Sequence, residues 1–235
     1  MANYKFLSSV CFLITLGSFQ LKAQSSDTRP AYTVGPSANG PSYSLNYVYQ
    51  NVNIKGSPFL NDQWQLANLI GKNGLNYKFV QVKFDMYNQK FIFNRNDSSF
   101  EVPDAIHEIL VYPNSKDTTS KAIFKKGLIQ NNSKAFAQVF VDGKFALYKY
   151  VKKDIQEYTE YGNATKFQQY ADIEQFYYIE NGKMEYVNIS KKNFEKYLKG
   201  KTVPLDNFIK EKSLSGKALN DWMEAIKFLN ANNSN

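Results

Sequence analysis

Alternation of apolar and polar residues predicts β-strands through the middle of the chain. In residues 77–87, the apolar Val80, Val82, Phe84 and Met86 alternate with polar neighbours. Side chains along a strand point to opposite faces in turn, so this pattern predicts a strand of a sheet that is wet on one side. A turn at 71–74 precedes it, and further apolar segments predict strands at 45–54, 91–93, 100–102 and 106–112.

Two hairpins are predicted by turn dipeptides. Asp142-Gly143 separates the apolar segments 136–141 and 145–151, and Asn181-Gly182 separates 176–179 from 184–187. Both dipeptides tolerate the positive φ angles of type I′ turns, which join antiparallel neighbours.

The period changes after Ser190, where apolar residues recur at helical spacing. Ser190 is a suitable N-cap for a short helix that Gly200 ends, and Pro204 begins a second one. A third helix follows Ser213 or Ser215. Its apolar stripe consists of Leu219, Trp222, Met223, Ile226 and Leu229.

These elements predict a mainly β fold, α+β at most. We expect a curved antiparallel sheet or partly open barrel of roughly eight to ten strands, with two or three short C-terminal helices. The length suits a single domain over residues 43–235, with the sheet in 43–189 and a helical closure in 190–235. The 17 Tyr and 18 Phe supply large side chains for the faces of such a sheet.

The N-terminus predicts export. Lys5 precedes a short apolar run and Ala23 ends a plausible cleavage site, so residues 1–23 have the pattern of a signal peptide. Residues 24–42 are rich in Ser, Pro, Gly and Asn and are predicted to be a flexible leader. The only cysteine, Cys11, would leave with the signal peptide. We therefore expect a cysteine-free mature protein, periplasmic or secreted, without an integral membrane segment.

The basic charge is spread over the chain. The formal net charge is +8. Without the lysines of the predicted signal peptide, 27 basic residues face 21 acidic ones, which leaves +6. No long basic run occurs, so the lysines predict solvated faces, or attraction to an anionic envelope surface, rather than nucleic-acid binding.

Several structural motifs together resemble a widespread group of exported, uncharacterised Bacteroidetes proteins. They are Gly56-Ser57-Pro58-Phe59-Leu60 followed by Trp64, Val82-Lys83-Phe84-Asp85-Met86-Tyr87, Asp142-Gly143-Lys144 with Leu147, Phe176-Tyr177-Tyr178, and the C-terminal helices ending in Phe228-Leu229-Asn230. The resemblance covers most of the mature chain. It implies the compartment and the fold, but no activity and no cofactor.

The inventory of reactive side chains excludes most catalytic chemistry. A mature chain with one imidazole, His107, and no thiol cannot supply an ordinary zinc site or a cysteine nucleophile, and we predict no metal and no cofactor. His107 is predicted to be a sheet-face histidine without catalytic duty. Paired carboxylates remain the one open catalytic route, with Asp85 and Glu108 as candidates among Asp85, Glu101, Asp104, Glu108, Glu174 and Glu185.

Aromatic residues are the predicted binding groups. Trp64, Tyr148, Tyr150 and Tyr177 could form a face that contacts an envelope protein, a glycan or a small apolar ligand. We therefore expect a non-catalytic exported binding or scaffolding protein. A carboxylate-based hydrolase of extracellular polysaccharide and a small barrel carrying an apolar ligand remain as alternatives.

Two shorter signals complete the prediction. Residues 94–98 contain closely spaced oxygen ligands, but Arg95 opposes a cation, so we predict a plain turn rather than a calcium loop. Asp117-Thr118-Thr119 resembles the short motif that Bacteroidetes use for O-glycosylation, which makes Thr118 a candidate modification site.

Overall fold

The computed structural model describes residues 54–72, 74–96, 98–113, 119–130, 132–162 and 165–232. The predicted signal peptide and leader, and the predicted strand before Ile54, lie outside these residues. The described part contains eleven strands and three helices. They are β1 (Ile54–Lys55), β2 (Gln65–Gly71), β3 (Asn76–Asp85), β4 (Lys90–Arg95), β5 (Ser98–Glu101), β6 (Ile106–Tyr112), β7 (Ala122–Lys126), β8 (Phe136–Val141), β9 (Phe145–Thr159), β10 (Lys166–Glu180), β11 (Lys183–Val187), α1 (Lys191–Tyr197), α2 (Val203–Glu211) and α3 (Leu219–Asn232).

All the described strands belong to one sheet. Its order is β1-β10-β9-β8-β7-β6-β2-β3-β4-β5, and β11 pairs with the C-terminal half of β10. Neighbours are antiparallel except β1, which runs parallel to β10. The predicted fold class is confirmed: the described chain is mainly β, with one unclosed sheet and three short C-terminal helices.

The two predicted hairpins are present, with different turns. Asn181 and Gly182 have φ of 50° and 79°, as a type I′ turn between β10 and β11 requires. Between β8 and β9 only Gly143 has a positive φ, 137°, and the loop is one residue longer. There the Asp142 carboxylate accepts a hydrogen bond from the Gly143 N–H at 3.1 Å.

Aromatic rings fill the concave side of the sheet. Phe84 and Phe91 stack with centroids 4.5 Å apart, and Phe91 meets the edges of Phe124 at 5.3 Å and Phe136 at 5.0 Å. Val151 of β9 belongs to the same buried cluster. Residues from β3, β4, β7, β8 and β9 thus meet in one packed interior.

The three helices cover another part of the sheet. Leu147 of β9 and Val187 of β11 are buried in one cluster with Trp222, Leu198 and Leu205 from the helical region. The indole N–H of Trp222 donates to the Gly216 carbonyl at 3.1 Å. Ser190 and Thr202 accept hydrogen bonds from helix N–H groups and cap α1 and α2, as the sequence predicted for Ser190.

A strap formed by residues 56–60 joins distant strands. The Met86 N–H donates to the Pro58 carbonyl, and the Leu60 N–H donates to the Phe84 carbonyl, both at 2.9 Å. Lys153 of β9 holds the same segment from the other side, since its amino group donates to the carbonyls of Ser57 at 2.8 Å and Phe59 at 2.9 Å. The strap therefore bridges β3 and β9 without a strand ladder between them in the described residues.

Candidate functional site

Three of the four predicted binding aromatics lie next to one another on the sheet. Tyr148 and Tyr150 alternate along β9, and Tyr148 is directly opposite Tyr177 of β10. Leu147 and Val151 point the other way. Leu147 is buried with the side chains of the helical region, which we call the helix cluster. Val151 is buried with Phe84, Phe91, Phe124 and Phe136, which we call the phenylalanine cluster. The tyrosines therefore occupy the outer face, where they pack with Ile129, Val139 and Ala146.

A fourth tyrosine belongs to this group and was missed by the sequence analysis. Tyr186 of β11 is directly opposite Tyr177, and the two rings meet edge to face with centroids 6.2 Å apart. The Asn181-Gly182 hairpin could have revealed it, because a two-residue turn fixes which residues face each other. We call Tyr148, Tyr150, Tyr177 and Tyr186 the tyrosine face.

Accessibility differs sharply along the tyrosine face. Tyr148 and Tyr150 are each only 8% exposed, since they pack against residues of β8 and the segment before it, including Ile129 and Ala135. Tyr177 is half-buried, and Tyr186 is 55% exposed. The part of the face that can touch another molecule is therefore the Tyr177 and Tyr186 end.

The accessible rings are held by hydrogen bonds. The Tyr177 hydroxyl donates to Gln175 Oε1 at 3.0 Å, and the Tyr186 hydroxyl donates to Asn188 Oδ1 at 2.8 Å. Burial, followed by the neighbouring Tyr186, raises the pKa of Tyr177 above its ordinary value. The raised pKa keeps the Tyr177 hydroxyl neutral at physiological pH, and the two hydrogen-bonded rings present a preoriented surface that needs little ordering on contact.

Charged groups anchor the buried end of the face. Asp142 accepts hydrogen bonds from the Tyr148 hydroxyl at 2.9 Å and from Lys125 Nζ at 2.6 Å. Burial, assisted by Asp142, raises the pKa of Tyr148, and the hydrogen bond to Asp142 raises that of Lys125. Burial opposes ionisation of Asp142, but these two donors outweigh it and lower its pKa. This network fixes Tyr148 as a packing residue.

Trp64 lies away from the tyrosine face. It precedes β2, is half-buried, and has the Lys83 amino group 4.9 Å from its ring centroid. The same amino group lies 5.1 Å from the Phe59 ring. Lys83 belongs to β3, which pairs with β2 and β4, whereas the three tyrosines lie on β9 and β10. The four predicted aromatics therefore do not form one surface.

The two carboxylates singled out for hydrolysis are far apart. Glu108 is level with Ile70 of β2, and Ile70 is level with Asn76, nine residues along β3 from Asp85. At the rise of an extended strand this separation is about 30 Å, whereas glycosidase carboxylates lie within ~10 Å of each other. Asp85 is buried and accepts from the Tyr87 and Asn88 N–H groups, so it orders the β3–β4 turn.

The other acidic candidates are engaged in ion pairs. These pairs are Glu101 with Lys90 at 2.8 Å, Asp104 with Lys126 at 3.1 Å, Glu174 with Lys149 at 2.5 Å and Glu185 with Lys183 at 2.6 Å. Hydrogen bonds from the paired lysines lower the pKa of Asp104 and of Glu185. A general acid needs a raised pKa instead, so neither of these two is suited to that role.

His107 has no orienting carboxylate hydrogen-bonded to it in the described chain. It is half-buried on β6, and its buried Nδ1 has no hydrogen-bond partner there. Its neighbour Glu108 lies 3.6 Å from Lys125 Nζ instead. Among the described residues, no group of three His, Cys, Asp or Glu side chains is placed to hold a metal ion.

The remaining short signals give the following outcomes. Residues 94–99 lie in the β4–β5 hairpin, where Asn94 pairs with Ser99 and Arg95 with Ser98, while Asp97 is outside the described residues. Thr118, the candidate glycosylation site, also lies outside them. Of the three described helices, none combines the length and apolar character needed to cross a membrane.

Two surface clefts are lined mainly by polar residues. One, of about 320 Å³, lies beside the β3–β4 turn and contains the Lys90–Glu101 and Lys126–Asp104 ion pairs. The other, of about 310 Å³, lies between the β10–β11 hairpin and Tyr197 and contains Glu180 and Glu185. Neither has the apolar lining that a carrier of an apolar ligand requires.

Comparison with other proteins leaves the family open. No protein-family model, curated protein or solved structure matches the chain.

Proposed function

We propose that the chain is an exported, non-catalytic binding or scaffolding protein of the bacterial envelope, and that it makes contact through the Tyr177 and Tyr186 end of the tyrosine face. The observation that carries this proposal is the edge-to-face pair of these two rings, accessible on the outside of a sheet whose other side is packed. Tyrosine is enriched at protein interfaces because it offers an apolar ring and a polar hydroxyl together.

The packing of the sheet supports a surface role over a carrier role. The phenylalanine cluster fills the concave side with ring centroids 4.5 to 5.3 Å apart, so the interior space is used for stability. The hydrolase alternative loses support because Asp85 and Glu108 lie about 30 Å apart along the strands. Export is supported by the pattern of residues 1–23 and by the resemblance to exported proteins.

The experiment is a capture assay with paired variants. Tyr177→Ala and Tyr186→Ala, singly and together, are compared with Tyr161→Ala, which removes a fully exposed ring from the β9–β10 turn. Each protein is incubated with envelope extract of the source cells and with a glycan array, and circular dichroism verifies folding. We expect the double variant to lose at least tenfold in binding, the size of effect typical of a central interface aromatic, while Tyr161→Ala binds like the wild type.

The single variant Tyr186→Ala guards against a folding artefact, because its ring is largely outside the core. Binding that is unchanged in all three variants would exclude the tyrosine face. Hydrolysis of an arrayed glycan by the wild type would contradict the non-catalytic assignment.

A further inference from the structure

The β2–β3 hairpin carries two apolar side chains that face solvent. Phe79 is 61% exposed and Leu75 is 44% exposed. Leu75 lies beside Gly71 at the turn, whereas Phe79 lies opposite Asn68 on the other face of the hairpin. Tyr77 and Val80, which lie between and beside them, pack partly against the phenylalanine cluster. The hairpin thus divides its large side chains between the core and the solvent.

The backbone at Phe79 is unusual. Its φ is 56°, in the left-handed region, where the described chain otherwise places only Gly, Asn, Gln and Ser. A bulky residue there is strained, and Asn or Gly would fit better. Such strain persists only where the surroundings hold it, and it often marks a functional position.

Neighbouring residues hold Phe79 in this conformation. The β2–β3 register shifts between Ala67 and Leu69, so that Asn68 faces an extra residue of β3. Asn68 Oδ1 accepts a hydrogen bond from the Phe79 N–H at 3.1 Å, while Asn68 Nδ2 donates to the Tyr112 hydroxyl at 2.9 Å. The bulge therefore keeps the ring directed away from the sheet.

The charge around these side chains is positive. Lys72 and Lys78 flank Leu75 and Phe79 and are both exposed, and residues 63–84 contain three lysines and no acidic residue. On the adjoining turn, where the Ala105 carbonyl accepts from the Lys72 N–H at 3.2 Å, the carboxylate of Asp104 is paired with Lys126. We call Lys72, Leu75, Lys78 and Phe79 the hairpin tip.

We propose that the hairpin tip is a contact site for an anionic lipid surface. The Phe79 ring enters the boundary between headgroups and acyl chains, and the two lysines meet the lipid phosphates. Charge complementarity and the exposed Phe79 ring select this occupant over a neutral partner. The site is separate from the tyrosine face, because β6, β7 and β8 lie between β2 and β9 in the sheet order.

The test is co-sedimentation of the full chain with vesicles of phosphatidylglycerol and phosphatidylcholine, compared with phosphatidylcholine alone. All variants share the same N-terminal segment, so any lipid affinity of that segment is common to them. We expect Phe79→Asn to lower the partition coefficient on anionic vesicles about tenfold. Lys72→Gln and Lys78→Gln should each lower it about fivefold on anionic vesicles and leave binding to neutral vesicles unchanged.

Two controls separate a lipid role from a structural one. Tyr161→Ser removes an exposed ring elsewhere and should bind vesicles like the wild type. Phe79→Asn relieves the positive φ and should raise the melting temperature, so weaker binding by this variant cannot be ascribed to unfolding. Wild-type protein that ignores anionic vesicles, or a Phe79→Asn variant that binds them normally, overturns the proposal. Loss of capture of an envelope protein by Phe79→Asn, with vesicle binding intact, would show a protein-docking site instead.

Discussion

Gly216 occupies a position where a side chain has no room. Its φ is 73°, and an added Cβ would lie 2.3 Å from Phe194 Cβ and Cγ. Its carbonyl accepts the Trp222 indole N–H, and its own N–H donates to Asp221 Oδ2 at 2.8 Å. This glycine therefore allows α1 and α3 to share one buried cluster.

Replacing Gly216 tests that packing. We expect Gly216→Ala to lower the free energy of unfolding by about 2–5 kcal/mol, from backbone strain plus the collision with Phe194. Gly182→Ala is the matched control, because Gly182 has φ of 79° and nothing within 4 Å of an added Cβ. It should cost only about 1–2 kcal/mol. Equal costs in urea denaturation would mean that Phe194 moves aside freely.

Asp142 makes part of the stability dependent on pH. Its pKa in the folded protein lies below the unfolded value, so its contribution is present above the unfolded pKa of ~4 and is lost as the pH falls through the folded pKa. Asp142→Asn should therefore cost more stability at pH 7 than at pH 3, by at most about 1 kcal/mol because the pair with Lys125 is partly exposed. Urea unfolding at both pH values measures this difference. An equal cost at both would contradict the role of the ionised carboxylate.

At the scale of elements, apolar patterning predicted the strands with one buried face. β3 and β6 are such strands, and Val82, Phe84 and Met86 are buried as expected. β9 and β10 are each 15 residues long, whereas the sequence predicted only their apolar parts, 145–151 and 176–179. Their remaining halves are mostly polar, but the two strands pair along all 15 residues. Main-chain hydrogen bonds and ion pairs such as Lys166–Glu157 therefore support the polar halves without a hydrophobic signal.

The strap could not be predicted from local sequence, because its partners are distant. Residues 56–60 form few local contacts, and Lys153, almost 100 positions later, supplies two of their hydrogen bonds. Nothing in a single lysine indicates such a role. Only the curvature of the sheet brings β9 to β3.

Lys153 therefore offers a test of the curved sheet. Its side chain is 14% exposed, and Lys153→Met keeps the stem but removes the donors to Ser57 and Phe59. We expect a loss of about 2–3 kcal/mol in unfolding free energy, because two half-buried carbonyls and the Asp172 carboxylate at 3.5 Å lose a charged partner. Lys152→Met removes only the more exposed pair with Asp154 and should cost less than about 1 kcal/mol. Similar costs for the two variants would show that the strap adds no stability.

At the scale of the whole molecule, the sequence predicted part of the candidate site. The aromatic runs at 148–150 and 176–178 identified Tyr148, Tyr150 and Tyr177, which the sheet brings together on one face. The sequence could not show that Trp64 lies outside this face, because strand order decides which strands are neighbours. It also could not distinguish the buried Tyr148 and Tyr150 from the accessible Tyr177, since that depends on the segment around Ile129 that packs over them.

The topology also bears on the carboxylate-hydrolase alternative. Asp85 and Glu108 are both strand carboxylates in sequence. Only the register across β2 shows that Glu108 of β6 is level with Asn76, at the end of β3 opposite to Asp85. The molecule instead places a packed core on one side and accessible tyrosines on the other. This division of the two faces supports the proposed binding role.

The most direct test of that role is hydroxyl-radical footprinting of the protein in buffer and bound to its native envelope fraction. Tyr177 and Tyr186 should be oxidised at least about threefold more slowly in the bound sample, as expected for rings covered by an interface, while Tyr161 reacts equally in both. Contradiction would come from a bound protein in which Tyr186 reacts as fast as in buffer and the protected residues lie on another surface.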